Sequence, residues 1–380
     1  MIEVEMKPLK DIITNIGNDT QGRLSTSHSI VKKSYQSEIL PPKFKSGPNA
    51  CPPIANFEYP EVSIADFSNA IVTATGAVIV DDRYVVEETV EGSLEDNCFN
   101  KSDGRYFFDL DRLEVTSEDI ISFNKFGIFN YSIFLTEIMP SAYLSSLTRD
   151  FCNRRFVISF PGFMSQDAIE LRWKVFSSCG FEKKVSIIPA GNGIRANKVG
   201  IVKANARYKN HRASQLAPYV STLLKMTFAT SEPSSFKRIY IRRQNVARSI
   251  ENFDDLLPIL NKHDVIPVSL ENMPVDQQVD LFSKADFVLA EHGAGLVNTM
   301  FMRPGSTVVE MFPEPLVGRW AFRLVSHTFK LNYCFGTFGV PEGWKWAADN
   351  ISLNPKAIDA FLTKLLPHPR NESGALEPSQ

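Results

Sequence analysis

Between Arg238 and Phe312 the chain alternates short β-branched runs with amphipathic stretches, and few folds accept that pattern. "RIYI" (238–241), "VIPV" (265–268), "DFVLA" (286–290) and "TVVEMF" (307–312) read as strands. Residues 252–262, 274–285 and 294–302 between them carry helical apolar spacing; Phe253, Leu256, Leu257 and Leu260 share one face, and Pro274 opens the second helix. Pro258 argues against an unbroken first helix. Strands alternating with helices predict a parallel, doubly wound sheet. Such sheets bind ligands beyond the carboxyl ends of their strands.

One such end carries "AEHGAGLVNTMFMRPGSTVVEMFP" (290–313). Gly293 and Gly295 lack Cβ, so backbone can approach a ligand closely. The amides opening the expected helix would point outward with the positive end of its dipole, a natural place for phosphate. The backbone at Gly293, Ala294, Gly295 and Leu296 is therefore the candidate anion cradle. His292 adds a side-chain hydrogen bond to a phosphate or a sugar hydroxyl. In isolation HGAG is equally a tight strand-to-helix turn. Arg242, Arg243 and Arg248 follow a strand of the same expected sheet, and guanidinium grips diphosphate in bidentate fashion; for any one of them a solvated basic loop is the plain alternative. Glu310 ends the next apolar run, either to accept from ribose or sugar hydroxyls or as an exposed strand-end carboxylate.

The preceding half is less regular. Residues 1–55, with "LPPKFKSGPNACPP", read as an extended or partly ordered leader. "NAIVTATGAVIVDDRYVV" and "RYFFDLDRLEV" are strand-like, broken at Gly76 and Asp81-Asp82. "FNYSIFLTEIMPSAYLSSLTRDF" is helical, with Pro140 as a kink or boundary. "RRFVISFPG", "AIELRWKVFSSCGF" and "KKVSIIPA" read strand, helix, strand. The expected division is an α/β domain over 56–228, the linker "ATSEPSSFK" (229–237) opening a second over 229–350, and an amphipathic helix within 351–368. Residues beyond 368 look frayed.

A net charge of −2 gives no sign of a nucleic-acid partner. Five cysteines, at 51, 98, 152, 179 and 334, lack CxxC spacing and read as reduced thiols. No apolar run approaches the roughly 20 residues of a membrane span, and the first 20 residues do not read as a signal peptide. The expected setting is the cytoplasm, with peripheral membrane association left open. "DLD" (109–111) matches a short metal-binding pattern and is treated as chance. "GNGIRA" (191–196) fits a dinucleotide fingerprint, but the following "NKVGIVKA" looks like strand where a helix is required. HGAG also occurs in esterase oxyanion turns, yet no G-x-S-x-G supplies a nucleophile.

Arg243, Arg248, Asn252, Gln278, His292 to Leu296, Asn298, Phe301, Pro304, Gly305 and Glu310, in this order and spacing, resemble glycosyltransferase family 61. The likeness is strong over 238–313 and weak before it. "NYSIFLTEIMP" keeps Asn130, Tyr131 and Pro140 of a family stretch but has Ile133 where a His is usual. The resemblance implies a GT-B-like α/β fold: two Rossmann-like domains facing a cleft, parallel sheets with flanking helices, and a last helix packing back toward the N-terminal domain. It implies an inverting transfer without metal or other cofactor, from a nucleotide sugar, expected to be UDP-linked, to a glycan or glycolipid hydroxyl. The expected context is a capsule, lipopolysaccharide or other surface glycan built at the inner face of the plasma membrane. The general base is sought first at Glu137, then at Glu291, with His292 third. A nucleotide-sugar epimerase and a non-catalytic nucleotide-sugar-binding component of an assembly complex are the rival readings.

Overall fold

A computed structural model describes residues 1–8, 24–31, 34–39, 44–46, 54–59, 62–90, 94–95, 98–149, 151–181, 185–203, 206–208, 211–213, 217–230, 237–244, 248–317, 321–345 and 349–366. The chain forms two compact units: Met1–Ile39 with Ile54–Ala229, and Leu40–Pro53 with Thr230–Gln380. Most of the linker "ATSEPSSFK" and the tail beyond 366 lie outside the described residues. Among the described residues no helix is long and apolar enough to cross a membrane. Cys98, Cys152, Cys179 and Cys334 form no disulfide among the described residues, and Cys51 lies outside them.

Unit 1 is built on a mixed sheet, not on the second parallel Rossmann-like layer expected. Its spine is the long antiparallel pair Val62–Thr73 and Gly193–Lys203, with Phe67 opposite Val199. Asp119–Ser122, Arg155–Ile158 and Val185–Ile187 continue the sheet in parallel on one side. Val78–Val80 and Tyr84–Val86 form a meander on the other. The turns dictate this. Gly76 (φ +98°), Asp81 (φ +59°) and Asp82 (φ +54°) are left-handed, so the chain reverses directly and its strands pair antiparallel. The helix Gln166–Ser178 supplies the crossover between Arg155–Ile158 and Val185–Ile187, and those two strands run parallel.

The expected leader contributes strands. Ile2–Lys7 pairs with Arg105–Phe108 and with Tyr84–Val86, and Val4 is buried. Leu24–Val31 pairs with Val62–Thr73. Phe44–Ser46 adds the edge strand of unit 2. These partners lie tens to hundreds of positions away, so local composition did not reveal them.

Unit 2 carries the alternation. Six parallel strands run in the order Val265–Ser269, Lys237–Arg242, Ala285–Glu291, Thr307–Pro313, Asn332–Phe338, Phe44–Ser46. The helix Phe253–Lys262 runs through Pro258: burial of Phe253, Leu256 and Leu260 outweighs the backbone bond that the ring removes. From Lys237–Arg242 the chain steps to one side, to Val265–Ser269, then crosses to the other, to Ala285–Glu291. The sheet reverses its winding between Lys237–Arg242 and Ala285–Glu291, and it is outside the carboxyl ends of strands at such a reversal that open α/β sheets bind ligands. The last helix, Pro355–Leu365, expected to pack back toward the N-terminal domain, is part of the unit 2 core. Ile358, Phe361 and Leu362 bury against Leu256 and Leu260. Asn252 secures the segment before it, donating from Nδ2 to Leu353 O (2.8 Å) and accepting from Leu353 N (3.0 Å).

Candidate functional site

The winding reversal places Arg243 just past one strand and His292-Gly293 just past its neighbour. A Cβ on Gly293 would lie 2.8 Å from Arg243 Nη1, so the guanidinium rests directly over this backbone. Gly293 is extended (φ −178°); the close approach, not the turn, requires a glycine. Gly295 seats the turn on the sheet: a Cβ there would meet Leu270 Cδ1 at 3.2 Å and Ile241 Cγ2 at 3.4 Å. Arg248 adopts φ +69° and donates from Nη1 to His292 O at 3.2 Å. Two arginines thus flank a bare segment whose residues Gly293 to Gly295 are partly exposed.

The helix expected over 294–302 is a 3-10 run, Ala294–Phe301. Leu296 to Phe301 are all buried, so this segment has no polar face to turn outward, and the tighter coil fits them into a confined space. Leu296 N–H donates to Gly293 O at 3.1 Å, so this amide is committed to the turn and not to a ligand. The amides of Gly293, Ala294 and Gly295 precede that first bond. Because a short 3-10 run has a smaller aligned dipole than an α-helix, the two arginines carry most of the positive field.

His292 is held from behind. Its Nδ1 bonds Glu310 Oε1, its ring stacks on Phe312 at 5.0 Å and 22°, and Phe322 closes a second side. The other Glu310 oxygen accepts from Tyr333 OH at 2.5 Å. Glu310 is 0% exposed. It therefore does not offer itself to ribose hydroxyls, nor is it an exposed strand-end carboxylate; it orients the imidazole. Asn298 is also withdrawn: it is 0% exposed and donates to Gln278 Oε1 at 2.9 Å, while Gln278 Nε2 donates to Met273 O at 2.7 Å. The pair locks the turn to the Val275–Ser283 helix and touches no ligand surface.

Glu291, the last residue of the Ala285–Glu291 strand, is 4% exposed. Tyr240 OH donates to its Oε1 at 2.5 Å, and Oε2 is buried without a hydrogen-bond partner. Desolvation lifts this carboxyl to about 7, against the opposing pull of the Tyr240 hydroxyl and the Arg243 and Arg248 charges. Desolvation likewise lowers Arg243, opposed by Glu291 and Glu271.

Glu137 belongs to unit 1. It is not an exposed helix carboxylate: it is 3% exposed and ion-paired with Lys125. It sits in a π-helical turn, Phe134–Ile138, a widened coil frequent at functional positions. Asn130 caps the turn before it, accepting from Ser132 N at 2.9 Å. Two motifs weighed above have local explanations. Asp109 caps the Leu110–Arg112 turn, and Gly193 opens a strand, where a Cβ would meet Phe108 at 2.8 Å. Tyr240, Tyr333 and Lys125 were not singled out in the sequence. A polar-tipped Tyr inside the apolar run "RIYI" was the one available signal.

The family model described as Glycosyltransferase 61 matches residues 104–309. Protein O-linked-mannose beta-1,4-N-acetylglucosaminyltransferase 2 of Homo sapiens is 32% identical over 114 residues, 29% of this chain and 20% of that protein. Its Xenopus laevis counterpart is 31% identical over 114 residues, 29% of this chain and 19% of that protein. The EGF domain-specific O-linked N-acetylglucosamine transferase of Drosophila melanogaster is 32% identical over 76 residues, 19% of this chain and 15% of that protein. The chain thus matches a fifth or less of the length of each of these relatives.

Proposed function

The chain belongs to the glycosyltransferase 61 family; we propose that it is a glycosyltransferase, that unit 2 binds a UDP-linked sugar and that transfer to a glycan or glycolipid hydroxyl proceeds with inversion and without metal. The observation that carries this is Arg243 resting over Gly293 at the winding reversal, with Arg248 on the adjoining carbonyl. Two guanidinium groups match a diphosphate in charge, and the amides of Gly293, Ala294 and Gly295 are the backbone donors we assign beside them. His292, oriented by Glu310, hydrogen-bonds the donor.

The acceptor hydroxyl oxygen attacks the anomeric carbon as its bond to the diphosphate oxygen breaks. The leaving diphosphate keeps that electron pair, and its charge is met by Arg243, Arg248 and the turn amides. The hydroxyl proton passes to Glu137, the proposed general base. Unit 1 presents the acceptor in this reading. N-acetylglucosamine is the first sugar to test, because the relatives' names specify it. Synthesis of a surface polysaccharide in the cytoplasm, at the inner face of the plasma membrane, is the setting we propose; the relatives' names place their own acceptors on proteins.

Calorimetric titration with UDP, GDP, CMP and NAD, on wild type and Arg243→Ala, tests the donor site. One nucleoside diphosphate binding and losing at least about tenfold affinity in the variant supports it. Tight NAD binding with no nucleoside diphosphate binding overturns it.

A further inference from the structure

Glu291 is an odd residue to bury beside a phosphate site. An ionised carboxylate there repels the diphosphate that Arg243 and Arg248 attract, and its Oε2 has no hydrogen-bond partner. A buried carboxylate oxygen without a partner is costly, so some charge must compensate. From the Lys237–Arg242 strand, Tyr240 OH reaches Oε1. From the loop after it, the Arg243 and Arg248 charges act on the carboxyl. Other charged groups nearby are engaged elsewhere. Arg242 lies over the Phe253 ring at 3.7 Å. Glu271, after the Val265–Ser269 strand, also acts on Arg243 and accepts from Ser269 Oγ at 2.5 Å. Glu310 is closed into its bonds with His292 and Tyr333. The Phe253–Lys262 helix turns Asp254 and Asp255 to solvent.

Resting on the donor-site reading above, we infer that Glu291 is a positioning residue whose carboxylate lies in the field of Arg243 and Arg248, and that it takes up one proton from solvent when the diphosphate of a nucleotide sugar docks at those arginines. The same two cations cannot fully compensate both anions in a dry site. The diphosphate cannot be protonated at neutral pH, whereas the carboxyl can, on Oε2. A burial-raised carboxyl near neutrality makes this transfer accessible. Binding is then linked to proton uptake: affinity is highest below pH 7 and falls toward tenfold per pH unit above it, until the bound-state titration is reached.

UDP-N-acetylglucosamine and GDP-mannose serve as probes, because a sugar diphosphate diester does not titrate in this range. Calorimetry of the full chain at pH 8, in buffers of different ionisation enthalpy, counts the protons. Uptake of more than about half a proton per donor bound, abolished in Glu291→Gln together with the pH dependence of affinity, is the expected result. Tyr240→Phe removes the hydrogen bond that favours the ionised form and should move the fall in affinity to higher pH. It provides an independent variant if Glu291→Gln folds poorly. Binding without proton uptake, or equal uptake in Glu291→Gln, overturns the inference and leaves the donor site standing. Failure of both probes and of free UDP and GDP to bind overturns the donor site, and this inference with it.

Discussion

Arg243 stands so close over Gly293 that a Cβ on that glycine would lie 2.8 Å from Nη1. The backbone of Gly293 is extended, so alanine is conformationally tolerated and the guanidinium, a flexible end, must move aside. Gly293→Ala should therefore change unfolding free energy by no more than about 0.5 kcal/mol. It should weaken donor binding roughly 10- to 100-fold, the worth of one displaced charge-assisted contact. Calorimetry beside urea unfolding checks both. A large loss of stability with unchanged affinity would show that the contact only supports the fold.

Glu310 holds His292 on one oxygen and Tyr333 on the other, fully out of water. Glu310→Ala leaves both partners buried and unsatisfied and should cost about 3–5 kcal/mol. Tyr333→Phe removes one hydrogen bond and should cost about 1–3 kcal/mol, with a fall in kcat/KM as the imidazole loosens. Wild-type kcat/KM in a folded Tyr333→Phe would mean that the orientation of His292 does not matter.

Glu291 should make stability fall as pH rises. Its carboxyl is lifted from an ordinary 4.5 to about 7 in the folded chain, so the folded state holds the proton more tightly than the unfolded one. This group's unfavourable contribution is absent below pH 4.5, grows between 4.5 and 7, and levels off above. It reaches about 3 kcal/mol. Urea unfolding of wild type and Glu291→Gln at pH 5 and pH 7.5 should show the variant gaining on wild type at the higher pH. Parallel behaviour would mean that the carboxyl is well compensated at both.

Asn252 makes two hydrogen bonds to Leu353 across 101 positions. Asn252→Ala should cost about 1–3 kcal/mol and raise amide exchange over Pro355–Leu365 before it does so over the central strands. Uniform acceleration across unit 2 would show that the helix does not open separately.

Glu137 is the proposed base. Glu137→Gln should lower kcat by roughly 10²–10⁴ while donor affinity in unit 2 stays as in wild type. Retained turnover in a folded variant would send the search for the base back to unit 2.

Much of the candidate site was legible because its signals are local. Gly293 and Gly295 following an apolar run, and arginines following another, identify strand ends whatever the rest of the chain does. The roles of the carboxylates were not legible. Glu310 and Glu291 each close an apolar run, where either exposure or burial fits the pattern. Pairing across the sheet brings Tyr333 to one and Tyr240 to the other.

The alternation of period-2 and period-3.6 stretches over 238–312 was sufficient by itself for four of the six parallel strands of unit 2, since each element's buried face is set by its own spacing. The glycines and arginines at the strand ends were equally explicit. Tertiary structure decided what depends on distant partners. It made unit 1 a mixed sheet, recruited Ile2–Lys7 and Phe44–Ser46 as strands, and tightened 294–301 into a 3-10 run. It also withdrew Asn298 and Glu310 into the interior. In each case the outcome was set by which atoms a residue meets across the fold, and that lies beyond the reach of any local periodicity.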